Sequence, residues 1–217
     1  MRKENFISSN PPHKYKYYIS NSERAPNKKH LTIKYNKNKI VKPKIKYNKN
    51  NNNLLLYKKN KSPIGQKIII NGTVFNRLGK VCPNIFMEIW QANASGKYRD
   101  MNDKHDATID PNFFGYGSTM TDKKGNYKFI TVLPGAYPWD NHKNAWRPKH
   151  IHFSLMDYNF FSRLCTQMYF PEDVLLKYDP IFNSVSKKFR DLLIAKFDNE
   201  LNNIPNFISY KFDIVMP

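Results

Sequence analysis

The second part of the chain, from Ser62 onward, consists of short stretches of β-branched and aromatic residues separated by glycine, proline and aspartate. The segment KIIINGTVF at 67–75 predicts a strand, and TDKKGNYKFITVLPG at 121–135 predicts a turn followed by a strand. Further strands are predicted within residues 81–90, 150–153, 166–170 and 210–216. Short strands punctuated in this way indicate a mainly β fold, a β-sandwich, and not a parallel α/β sheet.

A single helix is predicted near the carboxyl end, over residues 186–201. Its apolar residues recur at the spacing of one helix face and are Phe189, Leu192, Leu193 and Phe197. The sequence therefore predicts one short C-terminal helix beside the sandwich.

Composition excludes several classes of protein. No apolar run in the 217 residues approaches the length that spans a membrane, and the mean hydropathy is −0.70. The first residues contain no apolar segment of the kind that a secretory signal needs. Cys82 and Cys165 are the only cysteines, which excludes a disulfide scaffold and a cysteine-based zinc module. We therefore expect a cytoplasmic protein.

The net charge of +19 is concentrated in the N-terminal part of the chain. Residues 1–62 contain 17 Lys and Arg against 2 Asp and Glu, whereas residues 63–217 contain 19 against 15. Residues 34–61 are mostly Lys, Asn, Tyr and Ile, a composition that buries too little apolar surface to fold alone. We therefore divide the chain into a basic, extended N-terminal arm at 1–62 and a folded domain at 63–217. The arm could bind nucleic acid through its charge, but the sequence indicates no known nucleic-acid-binding fold.

The strongest local candidate for chemistry is the motif Arg147-Pro-Lys-His150-Ile-His152. On a strand, side chains two residues apart project to the same face, so His150 and His152 would lie together. Two imidazoles on one face can bind a single metal ion. The alternative is that one histidine is a hydrogen-bonded core residue and the other lies at the surface.

Two tyrosines upstream could complete a metal site. Tyr137 lies in the proline-bracketed segment PGAYPW, and Tyr98 lies in a polar loop after the strand that ends at Trp90. Two phenol oxygens and two imidazole nitrogens make an N₂O₂ donor set, and an ionised phenol is a hard donor that suits Fe(III). Each tyrosine could instead be an ordinary amphipathic surface residue.

The order and spacing of these motifs resemble those of the intradiol ring-cleaving dioxygenases, and within that family the iron-bearing beta chains of the enzymes that act on protocatechuate. The resemblance extends over residues 55–217. The matching stretches are residues 62–69, 87–93, 96–99, 110–113, 134–139, 146–153, 166–170 and 212–215. The series as a whole is highly specific, whereas no single piece of it would be.

This resemblance implies a β-sandwich of the transthyretin (prealbumin) type. It also implies a non-haem Fe(III) ion whose ligands are Tyr98, Tyr137, His150 and His152. The reaction that it implies is the cleavage of protocatechuate by O₂ between the two hydroxylated carbons, which yields 3-carboxy-cis,cis-muconate. Catechol and hydroxyquinol are alternative substrates within the same family.

The resemblance further implies roles for individual residues. Tyr137 would be the metal ligand that accepts a substrate proton, and Arg147 would stabilise negative charge on the substrate ring. Gln167 matches a residue that orients this arginine. The substrate pocket would be lined by Trp90, Trp139, Ile181 and Tyr18. A surface cation or a structural ion pair is the alternative for the arginine, and ordinary core packing is the alternative for the pocket residues.

The N-terminal arm also has a counterpart in the family. Tyr18 stands six residues before Arg24, as a tyrosine stands before Arg-Ser-Pro in the related arms, which implies contact with the substrate carboxylate. A chance match in a tyrosine-rich arm is the alternative. In the family the arm lies against a homologous alpha chain and the active site is at the interface, so the resemblance implies an alpha–beta hetero-oligomer. The competing hypothesis is a non-catalytic β-sandwich module with a basic arm.

Overall fold

The computed structural model describes residues 35–36, 39–40, 49–100, 103–139, 145–157, 163–201 and 203–216. The strands in this part of the chain are β1 Tyr35–Asn36, β2 Lys39–Ile40, β3 Lys67–Phe75, β4 Phe86–Trp90, β5 Tyr116–Met120, β6 Asn126–Val132, β7 Tyr137–Pro138, β8 Trp146–Arg147, β9 His150–Met156, β10 Arg163–Tyr169, β11 Lys196–Phe197, β12 Phe207–Lys211 and β13 Ile214–Val215. The helical elements are α1 Pro180–Asn183, α2 Lys187–Arg190 and 3-10 turns at Lys49–Asn52, Leu54–Leu56, Leu176–Tyr178 and Asp191–Leu193. In these residues, none of the helices has the length and apolar character needed to cross a membrane.

The strands form two main sheets. One sheet is antiparallel and has the order β10–β9–β4–β5. The other is centred on β3, which pairs antiparallel with β6, parallel with β12 along its first half and parallel with β13 at its end. Strand β11 extends this second sheet beyond β12, and the short hairpins β1–β2 and β7–β8 pair separately.

Apolar side chains from both sheets form one continuous core. Ile68, Ile70 and Phe129 belong to the sheet centred on β3, and Ile151 and Phe153 belong to β9 of the other sheet. The rings of Phe129 and Phe153 meet edge to face, with their centroids 6.2 Å apart. Two sheets that bury their inner faces against each other make a β-sandwich, which confirms the predicted fold class.

The strand prediction was incomplete in two places. Strand β5 has the sequence YGSTM, in which glycine and serine weaken the strand signal. The β7–β8 hairpin was not predicted, because Tyr137 is bracketed by prolines, which are rare inside sheets. Both elements matter for function, since each one contributes side chains to the site described below.

The helix predicted over residues 186–201 was wrong in extent. Only α2 and the 3-10 turn after it are helical, and the chain then enters β11. The amide of Ala195 donates to the carbonyl of Tyr169, and Phe197 pairs with Tyr210. Pairing with neighbouring strands therefore overrides the local helical periodicity.

A short segment that the sequence places in the arm packs against the sandwich. Leu54 and Leu55 are buried in the core. Asn51 donates a hydrogen bond from Nδ2 to the Ser118 hydroxyl on β5, at 3.0 Å. The packed part of the chain thus includes these residues, and the boundary at residue 62 stays a prediction.

Leu54→Ala is expected to lower the free energy of unfolding by about 2–5 kcal/mol, because it leaves a cavity in the core. Leu56→Ala in the same turn is the matched control: the Leu56 side chain is 66% exposed, and its loss changes stability by roughly 0.5 kcal/mol or less. Urea unfolding followed by circular dichroism measures both values. Equal effects of the two substitutions would contradict the packing of this segment.

Candidate active site

The outer face of the four-stranded sheet carries a row of polar and aromatic side chains. Strand register places Gln167 and Trp90 on either side of His152. Tyr116 follows next to Trp90 on β5. His150 shares this face because side chains two residues apart on a strand point the same way. The two predicted histidines therefore lie on one face, as their spacing predicts.

The β7–β8 hairpin brings a tyrosine and an arginine to this face. Tyr137 on β7 lies directly opposite Arg147 on β8. The Tyr137 hydroxyl lies 3.2 Å from Nε2 of His150, and Nη1 of Arg147 lies 3.2 Å from the same nitrogen. Both hairpin side chains thus reach one histidine of the pair.

The loop that carries Tyr98 is shaped by side chains that bind backbone amides. Oδ1 of Asn93 accepts from the amides of Ser95 and Lys97, at 3.0 and 2.9 Å. Oδ2 of Asp103 accepts from the amide of Tyr98 at 2.9 Å. Such bonds fix a segment that has no regular secondary structure. Tyr98 therefore enters the site from a defined backbone position.

Two glycines allow the loops of Tyr98 and Tyr137 to touch. Gly96 has a φ of +81°, and a Cβ there would overlap the carbonyl oxygen of Ala136. A Cβ on Gly135 would overlap the amide nitrogen of Gly96. Each overlap is with backbone, which cannot turn aside as a flexible side chain can. The close approach of the two tyrosine loops therefore requires glycine at both positions.

Four aromatic rings form a closed cluster. Tyr98 meets Tyr137 with ring centroids 5.3 Å apart, and Tyr137 meets His150 at 5.4 Å. His150 meets His152 at 4.8 Å, and His152 meets Tyr98 at 6.4 Å. His152 is half-buried and the other three side chains are buried. The structure thus brings together all four residues that the sequence suggested as metal ligands.

Hydrogen bonding defines which nitrogen of His150 carries a proton. Nδ1 lies 2.7 Å from the carbonyl oxygen of Pro148, which can only accept, so Nδ1 is the donor. In neutral His150 the Nε2 atom then has a lone pair, and this is the atom that meets the Tyr137 hydroxyl. A carbonyl that fixes the far nitrogen in this way is the usual arrangement at metal-binding histidines.

The donor set of this cluster fits a hard metal cation. It offers two phenol oxygens and two imidazole nitrogens, and a phenol that loses its proton becomes an anionic oxygen ligand. Oη of Tyr98 and Nε2 of His152 are buried atoms. In the part of the chain that the structure describes, no three His, Cys, Asp or Glu side chains cluster as a metal site of another kind. The four residues together could therefore hold one metal ion.

Arg147 is buried in a network of hydrogen bonds. Its Nε and Nη2 atoms donate to the two carboxylate oxygens of Asp179, at 3.3 and 2.8 Å. Nη2 also donates to Oε1 of Gln167 at 2.8 Å and to the Tyr169 hydroxyl at 3.0 Å. Burial alone lowers the pKa of Arg147, but the oxygens of Tyr137 and Tyr169 and the bound carboxylate raise it above its usual value. The guanidinium therefore stays charged.

Two tryptophans proposed for the substrate pocket lie against this cluster. Trp90 stacks on His152, with ring centroids 5.1 Å apart and an angle of 6° between the planes. The Arg147 guanidinium lies over the Trp139 ring, 5.6 Å from its centroid. Both tryptophans therefore contact a residue of the site, while Tyr18 lies outside the described residues.

Asp179 is a site residue that the sequence reading missed. It contacts Arg147, and its Oδ1 accepts from the amide of Ile181 at 3.2 Å and so caps α1. The dipeptide Asp179-Pro180 before a helix is a start signal that predicts this cap. No local pattern predicts the contact with an arginine 32 residues earlier. Ile181, the remaining pocket candidate, is linked to the site through this carboxylate.

Tyr169 is the second residue that was missed. It lies two residues after Gln167 on β10, so strand alternation alone predicts that it shares the face of the site. Burial is the main cause that raises the pKa of Tyr169 well above its usual value, and the Asp179 carboxylate adds to this while Arg147 opposes it. The hydroxyl therefore keeps its proton and donates to Oδ2 of Asp179 at 3.1 Å.

The chain matches a known family over most of its length. Residues 40–217 match the family model that is described as Dioxygenase. The chain therefore belongs to this dioxygenase family, it is an enzyme, and the resemblance to intradiol ring-cleaving dioxygenases is confirmed.

Individual relatives agree with this family. The chain is 52% identical over 158 residues to the protocatechuate 3,4-dioxygenase beta chain of Burkholderia cepacia, an overlap that covers 73% of this chain and 67% of that one. It is 30% identical over 152 residues to the protocatechuate 3,4-dioxygenase alpha chain of Pseudomonas putida, covering 69% and 71%. The dioxygenase domain of a carbohydrate-binding fusion protein from Streptomyces sp. SirexAA-E has the same fold, with a TM-score of 0.56 at 23% identity and coverage of 82% and 94%.

Gly96→Ala is expected to separate the two tyrosine loops, because the new methyl group overlaps the Ala136 carbonyl. Gly79→Ala is the matched control, since Gly79 also has a positive φ, of +74°, but a Cβ there meets nothing within 4 Å. The control should lose about 1–2 kcal/mol from backbone strain alone, and Gly96→Ala should lose more. Urea unfolding measures the stabilities, and a crystal structure measures the displacement of Tyr98. Equal losses with Tyr98 in place would contradict the close-contact argument.

Proposed function

We propose that this chain is the iron-bearing chain of an enzyme that cleaves protocatechuate with O₂ between its two hydroxylated carbons, giving 3-carboxy-cis,cis-muconate. The observation that carries this proposal is the closed cluster of two tyrosine and two histidine rings on the outer face of the sheet. The 52% identity to a protocatechuate 3,4-dioxygenase beta chain supports the choice of substrate.

The residues that would hold Fe(III) are Tyr98, Tyr137, His150 and His152. When bound there, the ion supplies Lewis acidity to the two adjacent hydroxyl oxygens of a catechol. The fixed proton on Nδ1 of His150 supports the role of this histidine as a ligand, because it leaves the lone pair of Nε2 available to the metal. Phenol oxygens and imidazole nitrogens are also ligands that a hard trivalent cation accepts.

The protein residues around the cluster would handle protons and charge. The Tyr137 oxygen takes one proton from the catechol, since it is a basic atom when ionised and lies inside the cluster. The Arg147 guanidinium stabilises the negative charge that develops on the substrate ring, with Nη1 turned toward His150. Gln167 holds the guanidinium from its Nη2 side.

The pocket would be bounded by Trp90, Trp139 and Ile181, with Tyr18 of the arm near the substrate carboxylate. The buried Nε1–H of Trp90 has no acceptor among the described residues. Because buried donors are normally paired, this favours a polar group of a bound molecule as its partner.

We further propose that the chain works in a hetero-oligomer with a homologous alpha chain. Its similarity to proteins named as beta and alpha chains of one enzyme supports this assembly. A cytoplasmic location is part of the same proposal, and the two cysteines that form no disulfide support it.

The purified full-length chain, in the assembly in which it is isolated, is expected to contain stoichiometric iron and to absorb visible light. The colour comes from charge transfer between ionised tyrosine and Fe(III). Adding protocatechuate should cause oxygen consumption, which an electrode measures. Mass spectrometry should identify the product as the carboxymuconate. Removal of iron with a chelator should abolish both the colour and the activity.

4-Hydroxybenzoate is the matched control, because it keeps the carboxylate and lacks the second hydroxyl that chelation needs. Oxygen uptake with this compound would exclude a mechanism that depends on a catechol. Faster turnover of catechol or hydroxyquinol than of protocatechuate would assign a different substrate. A colourless protein with stoichiometric iron would exclude the tyrosines as ligands.

Tyr137→Phe is expected to lower turnover by roughly 10²–10⁴-fold, the range for removal of a proton acceptor, with a smaller effect on the iron content. Tyr57→Phe is the matched control, because Tyr57 is exposed and contacts Phe114 outside the cluster. Oxygen uptake and iron analysis on each purified variant give the two quantities. Wild-type turnover by Tyr137→Phe would show that another group accepts the proton.

A further inference from the structure

We propose that Asp179 is a positioning residue that aims the Arg147 guanidinium into the active site and ties it to the pocket helix α1. This inference rests on the proposed function, because it gives Arg147 a role in the reaction. The role is one of orientation: Asp179 acts through Arg147, whose Nη1 atom reaches His150.

The contact between the two residues is a buried side-on ion pair. Asp179 is fully buried and Arg147 is 3% exposed. Oδ1 accepts from Nε at 3.3 Å, and Oδ2 accepts from Nη2 at 2.8 Å. Two parallel hydrogen bonds of this kind fix the plane of a guanidinium as well as its position.

The pair occupies one edge of the guanidinium and directs the other edge to the site. Nε and Nη2 form the edge that Asp179 binds, and Nη1 is the group that lies 3.2 Å from Nε2 of His150. A guanidinium is planar and rigid, so an edge that is held fixes the direction of the opposite nitrogen. The carboxylate therefore sets where the N–H groups of Nη1 point.

Two further residues secure the same edge. The Tyr169 hydroxyl accepts from Nη2 at 3.0 Å and lies 3.1 Å from Oδ2 of Asp179. Oε1 of Gln167 accepts from Nη2 at 2.8 Å. Gln167 and Tyr169 are on β10, so the sheet that carries the histidines also anchors the arginine.

The same carboxylate organises the pocket helix. Oδ1 of Asp179 accepts from the Ile181 amide at 3.2 Å and caps α1, which begins at Pro180. One oxygen thus contacts both the Arg147 guanidinium and the backbone of a proposed pocket residue. A shift of the carboxylate would therefore move both the arginine and the wall of the pocket.

Charge explains why a carboxylate suits this position. A buried guanidinium without a counter-charge is costly, and the Asp179 pair removes the net charge while it leaves Nη1 directed at the site. A buried pair could also serve stability alone. The two roles differ in one measurable respect, because a positioning role disappears when Arg147 is absent and a general structural role does not.

The kinetic test is a double-mutant cycle on the full-length chain loaded with iron. Asp179→Asn is expected to lower kcat for protocatechuate by about 10–100-fold, the range for loss of a residue that orients another, with unchanged iron content and colour. In an Arg147→Ala background the same substitution should cause no further loss of kcat. Equal fold-losses in both backgrounds would overturn the proposal, as would wild-type kcat in Asp179→Asn.

Two other substitutions keep the test decisive. Tyr169→Phe keeps both members of the ion pair and removes the hydroxyl that bonds to Nη2 of Arg147 and to Oδ2 of Asp179, so it should give a smaller loss of kcat that also vanishes in the Arg147→Ala background. If Asp179→Asn does not fold, this second cycle tests whether the bonded edge of the Arg147 guanidinium sets kcat. A loss of kcat that persists in the Arg147→Ala background would overturn the proposal. Asp191→Asn is the matched control, because Asp191 is an exposed carboxylate in the 3-10 turn Asp191–Leu193, and the kcat of this variant should equal that of the wild type.

A structural readout separates this inference from the proposed function. If the wild-type chain oxidises no catechol, the proposed function fails, and crystal structures of metal-free wild type and Asp179→Asn decide the positioning role. Displacement of Nη1 from Nε2 of His150 in the variant supports it. An unchanged distance between these two atoms overturns it.

Discussion

The alternation of side chains along β9 is the constraint on which the rest of the structure depends. Ile151 and Phe153 point inward and join the two sheets of the sandwich, while His150 and His152 point outward to the site. A shift of one residue in the pairing of β9 would bury the histidines and expose the core. Stability of the sandwich and geometry of the site are therefore set by the same register, with β4 and β10 as neighbours on either side.

The site itself depends on contacts that lie outside the regular sheets. Tyr98 comes from a loop and Tyr137 from the β7–β8 hairpin, and they meet only because Gly96 and Gly135 let two backbones touch. Asp103 then holds the amide of Tyr98. The sheet supplies the pair of histidines, and a loop and a short hairpin bring the two tyrosines to it, which is a common division between scaffold and functional segments.

The sequence predicted the parts of this arrangement that follow from local pattern. The spacing of His150 and His152 on a strand predicts a shared face, and the structure has it. The contact of Arg147 with Asp179 could not be predicted in this way, because it joins a short hairpin to a helix cap across 32 residues. The predicted helix over residues 186–201 was too long for a related reason. Pairing with strands that are distant in sequence outweighs the local periodicity.

The buried Asp179 carboxylate is fully engaged by groups outside the four-ring cluster. Both oxygens of Asp179 already accept from N–H and O–H groups, namely those of Arg147, Tyr169 and Ile181. A carboxylate engaged in this way has little capacity to act as a ligand, although it lies next to the residue that contacts His150. The fold therefore holds the Arg147 guanidinium with this carboxylate, together with Gln167 and Tyr169, while a loop and a hairpin bring the Tyr98 and Tyr137 rings to the histidine pair.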